Sequence, residues 1–389
     1  MDQLGTAVVA GLLIMLASMA SVEFGVSVAL IEISLGVIAG NFLGLTSPAW
    51  MDFLASFASI VLTFLAGAEV DPGVMREKFK ESLLIGGLSF VGPFLGAWIF
   101  CALVLGWSTP AAQIAGVALS TTSLAVVYAV LVETGLTHAP IGKLIMAATF
   151  VTDFGTAFAL AALFIHPTWW LLPFLAVSVL IIWAMRALQP WFFSRYGDRV
   201  IEPEIKGAFA ALLVLMFFAE RPQSHAVLPA FVLGLALAPI FHLHRELQRR
   251  FRVVAFALLT PFFFLKGGMH VSLGLVWANV GLLLLLLGVK QVTKFLGVFP
   301  LARRYVPRDA MYTTLLMSTG LTFGTISSLY GLNAGLIDRA QFSVLVTVVV
   351  ASAVIPTIIA QRFFSPVGPA PLVAARPAES PVIAEVDDV

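Results

Sequence analysis

Asp153 is the one charged residue in an apolar stretch, residues 144–165 (LIMAATFVTDFGTAFALAALFI), long enough to cross a bilayer. A carboxylate at that depth is costly unless a counter-charge, a proton, a cation or water serves it, and such residues mark ion pathways and proton relays. Lys294 lies in a second apolar stretch, 273–301, whose other charge is Lys290. Two hydroxyl-rich runs accompany them. Ser120-Thr121-Thr122-Ser123 interrupts residues 111–133, and Ser318-Thr319-Gly320, followed by Gly324, interrupts residues 308–330. Hard cations such as Na⁺ take carboxylate, hydroxyl and carbonyl oxygens. Asp153, as the metal (Na⁺) ligand, with Thr152, Thr121, Thr122 and Ser123 offers that set. Desolvation favours a neutral carboxyl and a nearby ammonium favours the charged form. H⁺ and a cation then compete for one carboxylate, and competition combined with alternating access is antiport.

Position within the spans brings these residues to one level. At about 1.5 Å per residue, Asp153 lies roughly 15 Å from Lys143 at one end of its span. Lys294 lies roughly 14 Å from Arg303. The two hydroxyl runs each lie roughly 15–18 Å into their spans, from opposite faces. Hydroxyl and glycine runs are where a membrane helix can unwind if the freed backbone lines a polar cavity. Broken helices then present their ends to an ion. Each piece has a plainer reading: membrane Ser and Thr bond back to their own helix, and Gly320 with Gly324 is also a small-xxx-small packing pair. Lys294 can be a structural counter-ion to Asp153. Lys290, one turn away, is read as pointing toward the outer half, and Lys266 as snorkelling to the outer surface.

The elements that must hold these groups are helices. The 389-residue chain is 60% hydrophobic and 11% charged, with a mean hydropathy of +1.01; soluble domains carry roughly 25% charged residues. Thirteen spans are expected, at about 6–22, 26–45, 50–69, 83–106, 111–133, 144–165, 169–185, 207–220, 225–241, 253–267, 273–301, 308–330 and 339–362, with an interfacial stretch in 186–206. With the N-terminus outside, 17 of the 22 Lys and Arg fall on the inner side and only Arg221, Lys266 and Arg339 on the outer. This asymmetry is a positive-inside signal and predicts a cytoplasmic C-terminus in the cell (inner) membrane. The fifth and twelfth spans are seven apart, so they enter from opposite faces, as inverted-topology repeats require. The expected fold class is therefore an all-α polytopic membrane protein of about 13 transmembrane helices, with inverted-topology repeats and two unwound crossing helices. Residues 1–363 form the transmembrane domain and 364–389, rich in Pro and Ala, a disordered cytoplasmic tail.

Composition also excludes functions. A net charge of +1 gives no basic surface for nucleic acid. The single cysteine, Cys101, excludes an intramolecular disulfide and multi-cysteine metal sites. His138, His242 and His244 fall in loops, where they can sense pH but cannot hold a haem. A channel would show repeated polar rings, which are missing here. A Na⁺-coupled symporter of a small organic anion is the alternative; it would call for an arginine at depth, where there is none.

At these residues the chain resembles the cation:proton antiporter superfamily, in its bacterial Na⁺/H⁺ exchanger-like branch of thirteen helices. The resemblance runs from about residue 6 to 363. IEISLGVIAGNFLGL with Glu32 is similar to the second-helix "GE…GxxxGP" segment, from which Asn41 and the missing proline after Gly40 depart. FLAGAEVD with Glu69, PFFFLKGGMHV, and Lys294 followed by Arg308 and MSTGLTFGTI resemble further segments. The resemblance implies that Asp153 binds ion and proton and that Lys294 is the core lysine. It implies a transport core, at about 50–165 and 253–363, moving like an elevator against a dimerisation scaffold at about 6–45 and 169–241. It further implies a homodimer in the lipid bilayer, secondary active transport without cofactors rather than enzymatic turnover, and no soluble regulatory domain. The branch carries paired acids, Asn-Asp or Gln-Asp at 152–153; here the pair is Thr152-Asp153. Without the first acid, Lys294 must pair with Asp153, bond to hydroxyls or lose its proton; Asp153 is its one nearby acid as well as the ion site, and exchange is expected to be electroneutral.

Overall fold

The computed structural model describes residues 3–24, 27–137, 139–164, 168–197, 199, 201–220 and 226–366. The expectation for the tail at 364–389 and the loop residue His138 fall almost wholly or wholly outside them. Among the described residues every regular element is helical. The elements are α1 (Gln3–Phe24), α2 (Val28–Phe42), α3 (Ala49–Ala68), α4 (Pro72–Glu77), α5 (Phe79–Leu103), α6 (Thr109–Ser120), α7 (Leu124–Glu133), α8 (Pro140–Leu163) and α9 (Leu171–Tyr196). They continue with α10 (Pro203–Glu220), α11 (Val227–Leu243), α12 (Arg245–Val254), α13 (Thr260–His270), α14 (Leu273–Ala278), α15 (Val280–Tyr305), α16 (Ala310–Met317), α17 (Thr322–Asn333) and α18 (Arg339–Phe363). Each of the thirteen expected spans is traced by one helix or by a consecutive pair. Among the described residues nine helical stretches are long and apolar enough to cross a membrane, and α2 and α11 are shorter apolar helices. Two boundaries differ from expectation. α9 continues through Arg186 to Tyr196, because the stretch read as interfacial keeps an unbroken helical backbone, and α10 begins earlier, at Pro203.

Two helices are broken where hydroxyls and glycine replace bulky apolar residues. α6 stops at Ser120, Thr121 is extended (φ −65°, ψ 152°), and α7 resumes at Leu124. α16 stops at Met317, and α17 resumes at Thr322. The two breaks come from oppositely directed spans and cross each other. α12 runs into α13 through a π-helical turn at Ala255–Leu259, a device often found at functional sites.

The packing separates two groups. α5 packs on α6, α8 and α15, and α16 and α17 close against α15, α6 and α18. The other group is built on two close crossings, α3 with α11 and α13 with α2. Each crossing is made by a pair of glycines set against backbone. A Cβ on Gly67 would collide with the Phe231 carbonyl and one on Gly234 with the Phe64 carbonyl; Gly36 and Gly268 stand in the same relation to Leu265 and Ile33. Spans 2 and 3 correspond to spans 9 and 10 after a shift of seven, so the two crossings are repeat-related. By packing, α3 and α13 go with α2 and α11, whereas the sequence reading groups 50–69 and 253–267 with the helices around α5, α8 and α15. Asn41 fastens this group at one end. Its amide donates to the Val37 and Val271 carbonyls (both 2.8 Å) and its oxygen accepts from Leu273 N (2.9 Å). On the other flank of the same turn, Ser272 N donates to Ser343 Oγ of α18 (2.9 Å).

Candidate ion site at the crossing of two broken helices

Asp153 is 1% exposed in α8, and its Oδ1 takes no hydrogen bond from the protein. It lines a cavity of about 310 Å³ that lies between the two helix groups. From α7, α8, α17 and the first break the walls include Thr122, Tyr128, Asp153 and Thr322; from the other group they include Leu62, Glu69, Arg252 and Phe256. Glu69 ends α3 and Arg252 belongs to the arginine-rich α12, so this end of the cavity lies on the side where positive charge collects. There Arg252 forms an ion pair with Glu69 (2.6 Å) and lies 5.6 Å from the centroid of the Tyr128 ring.

Lys294 is fully buried, and its partners are hydroxyls. Its Nζ donates to Ser89 Oγ (2.8 Å) on α5 and to Thr122 Oγ1 (3.0 Å) in the first break. Thr122 Oγ1 donates in turn to the Met317 carbonyl (2.9 Å), as Ser89 Oγ does more weakly (3.5 Å). That carbonyl is the last of α16, one of the four a helix leaves without an intrahelical partner, and the negative end of its dipole. Two hydroxyls thus carry the charge of the lysine to a free helix end. Asp153 is within electrostatic range of Lys294 but does not form an ion pair with it; of the outcomes the sequence left open for the lysine, bonding to hydroxyls is the one found.

The remaining residues of the expected set separate. Of Asp153, Thr152, Thr121, Thr122 and Ser123, only Asp153 and Thr122 line the cavity. Thr152 Oγ1 donates to the Ala148 carbonyl (3.0 Å) and toward Gly86 on α5 (3.5 Å). Thr121 Oγ1 donates to the Ala118 carbonyl (3.1 Å), and Ser123 Oγ accepts from Val126 N (3.5 Å) at the start of α7. In the second break Ser318 Oγ donates to the Thr314 carbonyl (2.7 Å). Thr319 Oγ1 donates to the Leu316 carbonyl (2.8 Å) and accepts from Ser123 N (3.4 Å), tying the breaks together. Gly320 lies against Thr121 and Lys290. Back-bonding, the plainer reading of these hydroxyls, therefore holds for Thr152, Thr121, Ser318 and Thr319 but not for Thr122.

Two lysines depart from the sequence reading. Lys290 is fully buried, with its Nζ at the crossing instead of toward the outer face. Lys266 is buried and forms an ion pair with Asp52 (2.7 Å) instead of snorkelling, because α13 packs against α3, which carries that carboxylate. His242 is in the last turn of α11, where its Nε2 meets the Val70 carbonyl (2.9 Å). Sequence reasoning missed Ser89, Tyr128 and Arg252. A lone serine inside an apolar span was the one available signal for Ser89.

Comparison with known proteins agrees with this architecture. The sequence model of the family described as "Sodium/hydrogen exchanger, transmembrane" matches residues 7–365. The chain is 26% identical over 329 residues to a probable Na(+)/H(+) antiporter 3 of Methanocaldococcus jannaschii, covering 81% of this chain and 84% of that protein. It is 24% identical over 339 residues to the Na(+)/H(+)-K(+) antiporter GerN of Bacillus cereus, covering 82% and 86%. In fold it is similar to the sodium proton antiporter MjNhaP1 of Methanocaldococcus jannaschii, with a TM-score of 0.69 at 13% identity over 93% of this chain and 97% of that one. With crossed breaks, a buried carboxylate and a sequence match over nearly the whole transmembrane region, the chain belongs to the sodium/hydrogen exchanger family of membrane proteins.

Proposed function

We propose that the protein is a secondary active transporter that exchanges a monovalent cation, Na⁺ foremost, for H⁺ at Asp153. The observation that carries this reading is the Asp153 carboxylate itself: buried, with an oxygen unbonded by protein, at the head of a cavity between two helix groups. A desolvated carboxylate gains from either a proton or a cation, and one oxygen site serves one of them at a time. Thr122 supplies an adjacent oxygen. Na⁺ entering from the Glu69–Arg252 side displaces the proton; movement of the core across the scaffold exposes Asp153 to the other side, where the exchange reverses. In this reading α5–α8 and α15–α18 move like an elevator, α3 and α11–α13 stay with the scaffold, and the scaffold faces pair in a homodimer. No cofactor is required, and the arginine-rich side faces the cytoplasm, with the N-terminus outside.

The bonds of Lys294 bear on stoichiometry. Because Ser89 and Thr122 satisfy its ammonium, a cation arriving at Asp153 need not expel a proton from the lysine, and one H⁺ is exchanged for one cation. Organic-anion symport is the weaker reading, because Arg252, the arginine on the cavity wall, is already bound by Glu69. Purified protein in liposomes, given Na⁺, Li⁺ or K⁺ in turn, should move protons in response to at least one of them. Na⁺-stimulated uptake of a labelled carboxylate with no proton movement would overturn antiport.

A further inference from the structure

Lys290 has no part in that cycle, yet the fold makes room for it. It lies one turn before Lys294 on the same face of α15 and is likewise fully buried. Its Nζ makes no hydrogen bond. A methyl group at Gly320 would collide with Lys290 Nζ and would stand 2.9 Å from Thr121 Oγ1 and 3.3 Å from the Thr121 carbonyl oxygen. The lysine head group thus fills the volume that any side chain at 320 would take, between the second break and the first. Thr121 has spent its hydroxyl proton on Ala118, so it presents acceptor oxygens toward that volume. These are the oxygens the sequence offered as cation ligands. Lys294 is within electrostatic range of both Asp153 and Lys290, and of the three only Asp153 lines the cavity.

We propose that Lys290 is a positioning residue for the transported ion: its head group holds the crossing between Thr121 and Gly320 against cations and confines them to the Asp153–Thr122 side. The free carbonyl end of α6 is the kind of negative helix end that attracts a cation, and Thr121 adds oxygens to it. With its ammonium in that place, the crossing is a one-ion site. The proposal rests on the antiport reading for which ion is excluded, but it concerns cation binding and not the proton exchange.

The test is the cation-induced rise in melting temperature of purified full-length protein, titrated with NaCl against choline chloride at constant ionic strength, beside Na⁺-driven proton flux in liposomes. Lys290→Met keeps the length of the side chain without its charge. The Na⁺ midpoint should fall by on the order of three- to tenfold, as expected when a like charge is removed from a partly desolvated site. Lys290→Arg should keep the wild-type midpoint. A Lys290→Met protein with an unchanged or higher Na⁺ midpoint would overturn the proposal, even with lower stability or slower flux, since lost packing alone does not improve cation affinity. If Lys290→Met does not fold, Lys290→Gln, which retains a polar head, is judged by the same midpoint. Absence of proton flux in the wild type would count against antiport and leave the Na⁺ midpoints to decide on Lys290.

Discussion

Gly67 and Gly234 join α3 to α11, and Gly268 and Gly36 join α13 to α2, each pair pressing Cα against carbonyl. The second crossing repeats the first. In the core, the break at 121–123 and the break at 318–321 also occupy corresponding spans, but their surroundings differ. The carbonyl end of α16 receives the charge of Lys294 through Ser89 and Thr122, whereas the end of α6 faces an unbonded Lys290 across Gly320. Asp153 has no counterpart charge in α18, the span that corresponds to α8, over its apolar length. Where the repeats only pack, they remain alike; where they handle charge, they have diverged. Packing tolerates symmetry, while binding one ion in an asymmetric cavity does not.

The largest test of that contrast is Asp153→Asn. It should reduce cation-driven proton flux in liposomes to the background of empty vesicles while the purified protein remains monodisperse and melts no lower than wild type. Undiminished flux would remove the charged half of the comparison. Next, if the two crossings are equivalent, Gly234→Val and Gly268→Val should destabilise by similar amounts, at least about 1–3 kcal/mol each as for overpacked cores, measured by thermal melting in detergent. A large loss from one and none from the other would break the equivalence. Ser89→Ala should then cost about 1.5–3 kcal/mol, the range for a hydrogen bond to a charged group, while Na⁺ dependence changes little. A Ser89→Ala protein as stable as wild type would mean that Thr122 alone carries the charge of Lys294. The smallest effect is expected from voltage: a potassium diffusion potential across the liposome should leave the equilibrium of exchange unmoved, and a clear dependence would tie Lys294 to the proton count.

Much of this was legible in the sequence because membrane-length apolar runs leave few alternatives. Spans and the breaks at 121–123 and 318–321 follow from where Ser, Thr and Gly interrupt such runs. The depth of Asp153 and Lys294 follows from counting residues. What escaped was partnership. Ser89 lies 205 residues from Lys294, and nothing in the spacing along α5 announces that its hydroxyl faces the lysine. The direction of Lys290 depended on α15 packing against the breaks, and the pairing of Lys266 with Asp52 on α13 packing against α3. Composition could list five oxygen ligands; helix rotation selected two for the cavity wall.

Residues 271–273, between α13 and α14, are held from both sides. Asn41 of α2 makes two bonds to this turn, at the Val271 carbonyl and Leu273 N, and Ser343 of α18 makes one, from Ser272 N. The turn is the covalent link from the scaffold to α15 and its lysines. If the core travels, the single bond to Ser343 is the one to yield while the pair at Asn41 keeps its grip. Rotation then has to be taken up farther along, around Asn279, where α14 ends (φ −118°, ψ 27°) and α15 begins. Asn41, which departs from the family pattern, would thereby set the location of the hinge.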